Sequence, residues 1–128
     1  MADKKKILVV DDNEPFIELA KEIFSQEFRL ETALNGFEGL GKALTFLPDL
    51  ILLDINMPGI TGIDFVRKLS ANPQTAQIPV IVITASDYNS LTQSLLRQEH
   101  NVKVFMTKLS PVKVISEKVL AVLNKDIL

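Results

Sequence analysis

The chain has 128 residues, 47% of them apolar, and a formal net charge of −2. That size and composition suit a single packed domain, residues 1–128, and argue against disorder. There is no Cys, which excludes disulfides, thiolate catalysis and Cys-ligated zinc. The only basic cluster is Lys4-Lys5-Lys6, which reads as a solvated lead-in to the first strand and not as a nucleic-acid footprint. No apolar stretch long enough for a signal peptide precedes Asp11, and no run reaches membrane-spanning length. A soluble, cytoplasmic protein is the expectation.

Strands and helices alternate along the chain. Strand 1 is predicted from Lys6 to Val10. Asn13-Glu14-Pro15 then opens helix 1, with Asn13 as N-cap and Pro15 in the first turn. Phe16, Ile17, Ala20, Ile23 and Phe24 give this helix an apolar face at helical spacing. Strand 2 runs from about Arg29 to Ala33, and Asn35-Gly36 turns into helix 2, about Phe37 to Phe46. Gly39 and Gly41 inside that helix each cost roughly 1 kcal/mol relative to Ala, so it should be one of the softer elements. The order G-x-x-G-x-G formed with Gly36 is not the dinucleotide fingerprint.

Pro48-Asp49 ends helix 2. Strand 3 is Leu50-Ile51-Leu52-Leu53, apolar at every position as in a strand buried on both faces. A loop from Pro58 to Gly62 leads to helix 3, about Ile63 to Ala71. Pro79 opens strand 4, Val80 to Ile83, which runs into Thr84. Helix 4 covers roughly Tyr88 to Glu99, and strand 5 is Val102 to Met106. Ser110-Pro111 reads as N-cap plus first-turn proline for helix 5, which runs to about Leu123. His100, the one His, reads as a solvated loop residue. Five βα units with short connections define an α/β fold with an all-parallel sheet and right-handed crossovers.

In such sheets ligands bind outside the carboxyl ends of the strands. Strand 1 runs into Asp11-Asp12, strand 3 into Asp54, strand 4 into Thr84 and strand 5 into Thr107-Lys108. Three carboxylates in a small volume repel one another unless something compensates. The natural compensator is a hard divalent cation with oxygen ligands, and Mg²⁺ is the best match to carboxylates shared with phosphate oxygens. Three carboxylates, one ammonium and one divalent cation sum to zero. Such a cluster suits phosphoryl transfer, which needs positioning and charge stabilisation, with a carboxylate able to serve as nucleophile.

The combined motifs resemble the receiver domain of the two-component response-regulator family. The similarity is carried by Lys5 to Pro15, by Asn35-Gly36, by Pro48 to Gly59 with Gly62, and by Ile78 to Ala85. The resemblance implies a flavodoxin-like doubly wound sheet of five parallel strands in the order 2-1-3-4-5, with five helices. It implies Asp54 as phosphoacceptor, Asp12 as direct Mg²⁺ ligand with Asp11 as its water-mediated or hydrogen-bonding partner, and the backbone carbonyl of Asn56 as a further ligand. Thr84 matches the hydroxyl that turns toward the phosphoryl group, and Lys108 the lysine that pairs with phosphoryl oxygen. Phe105 matches the aromatic switch of strand 5. The implied donor is a sensor histidine kinase or a histidine phosphotransfer protein. The output is an unknown downstream protein reached through the face formed by helix 4, strand 5 and helix 5. The domain would act as a monomer or a phosphorylation-dependent dimer, stand-alone or within a longer chain, without contacting nucleic acid or membrane.

The sequence departs from the family pattern after strand 5. The usual Lys-Pro is Lys108-Leu109 here, and the bond is expected to be trans because a non-proline cis bond costs roughly 3 kcal/mol. The segment Gln98 to Lys103 replaces a shorter Gly-Ala. This altered loop leaves room for an alternative, a receiver-like interaction module that is not phosphorylated. A haloacid-dehalogenase-type phosphatase would need a second acid where Asp54-Ile55-Asn56 has none.

Overall fold

A computed structural model of the chain describes residues 4–55, 57, 59–84 and 90–124. The elements in order are β1 (Lys6–Val10), α1 (Glu14–Phe24), β2 (Arg29–Ala33), α2 (Gly36–Phe46), β3 (Leu50–Leu53), α3 (Gly62–Ala71), β4 (Val80–Thr84), α4 (Ser90–Arg97), β5 (Val102–Thr107) and α5 (Val112–Leu123). All four strand pairings are parallel, and the strand order is β2-β1-β3-β4-β5. This is the expected doubly wound sheet.

The two-residue alternation of side chains sorts the strands onto two cores. Ile7, Val9, Leu50, Leu52, Ile81 and Ile83 face α1 and α5, where Phe16, Phe24, Ile115 and Val119 meet them. Leu8, Val10, Ile51, Leu53, Val80 and Val82 face the other way, onto Phe65, Val66 and Leu69 of α3 and Leu96 of α4. The strands that carry the acidic residues are therefore clamped from both sides. Their carboxyl ends are held by the sheet itself, with Asp11 N–H donating to Ala33 O at 2.9 Å and Asp54 N–H to Val10 O at 3.0 Å.

Several local expectations are met and several are corrected. Asn13 caps α1, its Oδ1 accepting from Phe16 N–H at 2.8 Å, and Asn35 caps α2 in the same way from Glu38. Ser110 does not cap α5. Pro111 takes the N-cap position without a side-chain bond, and Ser110 N–H closes a turn onto Thr107 O at 3.1 Å instead. Helix α4 ends at Arg97, short of the expected Glu99, because Gln98 and Glu99 N–H bond only three residues back, to Leu95 and Leu96. The expected start at Tyr88 lies outside the described residues. His100 is exposed but tethered, with Nε2 2.9 Å from Ala76 O.

The extra length before β5 is taken up in two ways. Asn101 is buried, its Nδ2 reaching Val66 O at 3.4 Å and its carbonyl accepting from Val80 N–H at 2.7 Å. The β4–β5 register then jumps from Val80↔Val102 to Ile81↔Val104, so Lys103 forms a bulge. A bulge absorbs one residue without disturbing the pairing beyond it. Thr84 is consequently paired with Thr107, and Lys108 emerges at the rim.

The glycines of α2 differ from one another. A Cβ on Gly39 would lie 2.9 Å from Val10 Cγ2 and 3.0 Å from Phe65 Cε2, whereas one on Gly41 would meet nothing within 4 Å. Gly39 is a packing requirement that lets α2 close onto β1, while Gly41 carries only the propensity cost.

Candidate functional site

The rim brings together four of the expected residues. Asp11, Asp12 and Asp54 each offer a carboxylate oxygen within 4.8 Å of the others. Asp11 and Asp54 are buried and Asp12 is exposed. Lys108 Nζ lies 2.6 Å from Asp11 Oδ2 and 3.4 Å from Asp54 Oδ2, with its side chain only 11% exposed. The contact to Asp11 is close but off the direction of a hydrogen bond, so Oδ2 is held by charge. The other oxygen, Oδ1, accepts from Asn13 N–H at 2.9 Å.

Lys108 reaches the carboxylates although Leu109 follows it. The Lys108–Leu109 peptide is trans, as expected. Lys108 N–H donates to Thr84 O at 2.9 Å, and Leu109 N–H to Thr107 Oγ1 at 3.0 Å. These two bonds fix the turn from which the lysine stem extends. Thr84 itself is buried at the end of β4. Phe105 is half-buried on β5, with the Arg97 guanidinium of α4 4.5 Å from its ring centroid. Asn56 lies outside the described residues.

Burial dominates the electrostatics of Asp11. It pushes the carboxyl up from 3.8 to about 6, and the neighbouring Asp54 charge adds to the rise. The Lys108 contact and the Asn13 N–H oppose it but do not cancel it. Three carboxylates and one ammonium leave the cluster short of positive charge. Its donors are all hard oxygens, and their spread is close to the roughly 4.2 Å that separates opposite ligands of an octahedral Mg²⁺. The residues therefore fit a hard divalent cation.

One contact at the site was not anticipated. Lys108 Nζ also sits 4.7 Å from the ring centroid of Phe16. Helical spacing places Phe16 on the apolar face of α1, and it does pack there. Its position in the first turn of α1, four residues after Asp12, is the signal that it also borders the rim.

A doubly wound sheet with an acidic, lysine-closed cluster at its carboxyl edge is the α/β ligand-binding architecture in which a cation and a phosphate-sized anion can meet. The sequence matches the response regulator receiver domain family over residues 7–120, and the chain belongs to that family. It is thus a receiver domain of the two-component phosphorelay type, a signalling switch. The chain is 43% identical over 83 residues to the response regulator PleD of Caulobacter vibrioides, covering 64% of this chain and 18% of that protein. It is 34% identical over 123 residues to the alkaline phosphatase synthesis transcriptional regulatory protein PhoP of Bacillus subtilis, covering 95% of this chain and 50% of that protein. To protein PilH of Pseudomonas aeruginosa it is 31% identical over 104 residues, with 80% and 84% covered. The chain therefore spans only part of PleD and PhoP and most of PilH.

Among solved structures, the CheY-like receiver domain protein of Methanospirillum hungatei superposes with a TM-score of 0.86 at 25% identity, with 96% of each chain covered. The chemotaxis response regulator CheY4 of Vibrio cholerae gives 0.84 at 23% identity, covering 94% of this chain and 99% of that one, a likeness of fold. Among the described residues no helix is long and apolar enough to cross a membrane.

Proposed function

We propose that Asp54 accepts a phosphoryl group from a phosphohistidine, on a sensor histidine kinase or a histidine phosphotransfer protein in the cytoplasm, and that the aspartyl phosphate is the active state of the switch. The observation that carries this reading is the convergence of three carboxylates within 4.8 Å, closed by the Lys108 ammonium. Paired buried charge of this density is a poor device for stability, and it suits a cationic and anionic ligand together.

An Asp54 oxygen attacks phosphorus, the donor's P–N bond breaks, and its electron pair stays on the imidazole nitrogen. Lys108, already 3.4 Å from Asp54 Oδ2, pairs with a phosphoryl oxygen. Asp12, Asp54 and the Asn56 carbonyl would hold Mg²⁺ directly, with Asp11 assisting through water or a hydrogen bond. When bound, the ion neutralises charge on the phosphoryl oxygens. Thr84 turns its hydroxyl toward the new group, and Phe105 follows into the space released. The Arg97–Phe105 contact, which ties α4 to β5, supports a readout on the α4–β5–α5 face. Lys108 reaches the cluster without a following proline, which supports a phosphorylated switch over a module that is never phosphorylated.

Acetyl phosphate or beryllofluoride with Mg²⁺ should modify the wild type and leave Asp54→Asn unchanged, because an amide is not a nucleophile. Asp12→Ala should weaken Mg²⁺ binding by about tenfold or more through loss of a charged ligand. Labelling retained in Asp54→Asn, or unaltered Mg²⁺ affinity in Asp12→Ala, overturns the assignment.

A further inference from the structure

The Lys108 ammonium has a third neighbour besides its two carboxylates, the face of Phe16. The ring centroid is 4.7 Å away, inside the roughly 6 Å over which a cation is attracted to an aromatic face. The ring is 7% exposed and anchored from behind by the core between the sheet, α1 and α5. Its backbone is fixed as well, since Phe16 N–H donates to the Asn13 cap.

The lysine itself is less constrained. Lys108 leaves β5 on a four-carbon flexible stem, and Leu109 places no ring restraint on the turn that follows. Something other than the backbone must therefore set where the ammonium rests. Asp11 and Asp54 attract it, but both belong to the acidic cluster that is to receive a cation and a phosphoryl group. An aromatic face attracts the ammonium without adding charge to that cluster and without competing as a metal ligand.

We propose that Phe16 is a positioning residue for Lys108: its ring face holds the ammonium at the rim through a cation–π contact and keeps it within reach of a group carried on Asp54. The part played in phosphoryl transfer rests on the function proposed above. The contact itself does not, and the two are tested separately.

The contact is read in protein without Mg²⁺ or phosphodonor. Urea denaturation of wild type, Phe16→Leu, Lys108→Met and the double variant closes a cycle. Leu keeps an apolar side chain but has no π face. The coupling should be about fivefold to thirtyfold in the folding constant, the range of a water-shielded cation–π pair. Additive effects overturn the proposal. The role in the reaction is read by replacing Phe16 with mono-, tri- and pentafluorinated phenylalanine, which drains the ring face of negative potential with little change of size. The rate of Asp54 phosphorylation by acetyl phosphate should fall stepwise with fluorine count, and Phe16→Tyr should retain the wild-type rate. A rate independent of fluorination overturns the positioning role. Failure of the wild type to label at all, with the coupling intact, overturns the proposed function and with it the positioning role, but not the contact.

Discussion

The buried carboxyl of Asp11 should make the domain less stable at neutral pH than it is in mild acid, and Asp11→Asn should remove that dependence. In the folded chain the group titrates at about 6, against 3.8 for an ordinary aspartate. Below 3.8 the carboxyl is protonated whether the chain is folded or not, and the difference contributes nothing. Between 3.8 and about 6 the folded chain keeps a proton that the unfolded chain has lost. The folded state binds more protons there, so stability falls as pH rises. Above about 6 the penalty is complete. A rise from 3.8 to about 6 corresponds to about 3 kcal/mol at roughly 1.4 kcal/mol per pH unit. Asparagine carries no charge at any pH, and its Oδ1 can still accept from Asn13 N–H, the bond that Asp11 Oδ1 makes at 2.9 Å. The assay is urea denaturation of both proteins at pH 4 and pH 7 in the presence of a chelator, with m-values compared to confirm that the unfolded states match. Going from pH 4 to pH 7, Asp11→Asn should gain roughly 2 to 2.5 kcal/mol relative to wild type, since part of the penalty is already present at pH 4. Carboxylates elsewhere titrate in both proteins and cancel in the difference. Parallel pH profiles would refute the argument, and so would a variant that loses stability relative to wild type as pH rises. The latter result would mean that the Lys108 pair outweighs the desolvation of Asp11.

Two further tests address packing and the loop. Gly41→Ala should stabilise the domain by about 1 kcal/mol through helix propensity alone, whereas Gly39→Ala should cost about 1–3 kcal/mol because its Cβ would press on Val10 and Phe65; thermal denaturation showing the same sign for both would contradict this. Leu109→Pro should destabilise by about 1 kcal/mol, because the trans chain uses Leu109 N–H to bond Thr107 Oγ1 at 3.0 Å and proline has no N–H to give. A more stable Leu109→Pro protein would show that the Leu109 N–H bond to Thr107 Oγ1 contributes nothing to the turn.

What the sequence made legible follows from where its signals are strong. β1 is legible from the apolar run Ile7 to Val10 and β3 because all four of its residues are apolar, whereas β2, with Arg29, Glu31 and Thr32 among its five residues, carries a weaker signal. Asp11 and Asp54 could be placed because each directly follows such a strand, and Asp12 because it follows Asp11. What escaped depends on contacts between distant parts of the chain. The bulge at Lys103 is set by pairing with β4, not by any residue type in β5. Gly39 reads as a helix weakener in isolation and becomes a packing necessity only when Val10 and Phe65 stand opposite. Ser110-Pro111 carries a capping signature, but Thr107 O captures the Ser110 N–H and moves the helix start past the proline.

Phe16 belongs with these, since helical periodicity assigns a residue to a face and says nothing of what waits at the end of that face. The same limit bears on Lys108. Its place at the end of β5 identifies it as a rim cation, but not its partner. In the structure it lies nearer Asp11, at 2.6 Å, than Asp54, at 3.4 Å. The buried pair with Asp11 stands in for positive charge that the cluster otherwise lacks. On the proposed reading, a divalent cation held by the acidic pair would supply positive charge there, which would loosen Asp11 from the ammonium, and phosphoryl oxygens on Asp54 would draw Lys108 across. The lysine then travels only the short distance between two carboxylates it already touches. The Phe16 face, attached to neither carboxylate, is a contact that it would keep in both states.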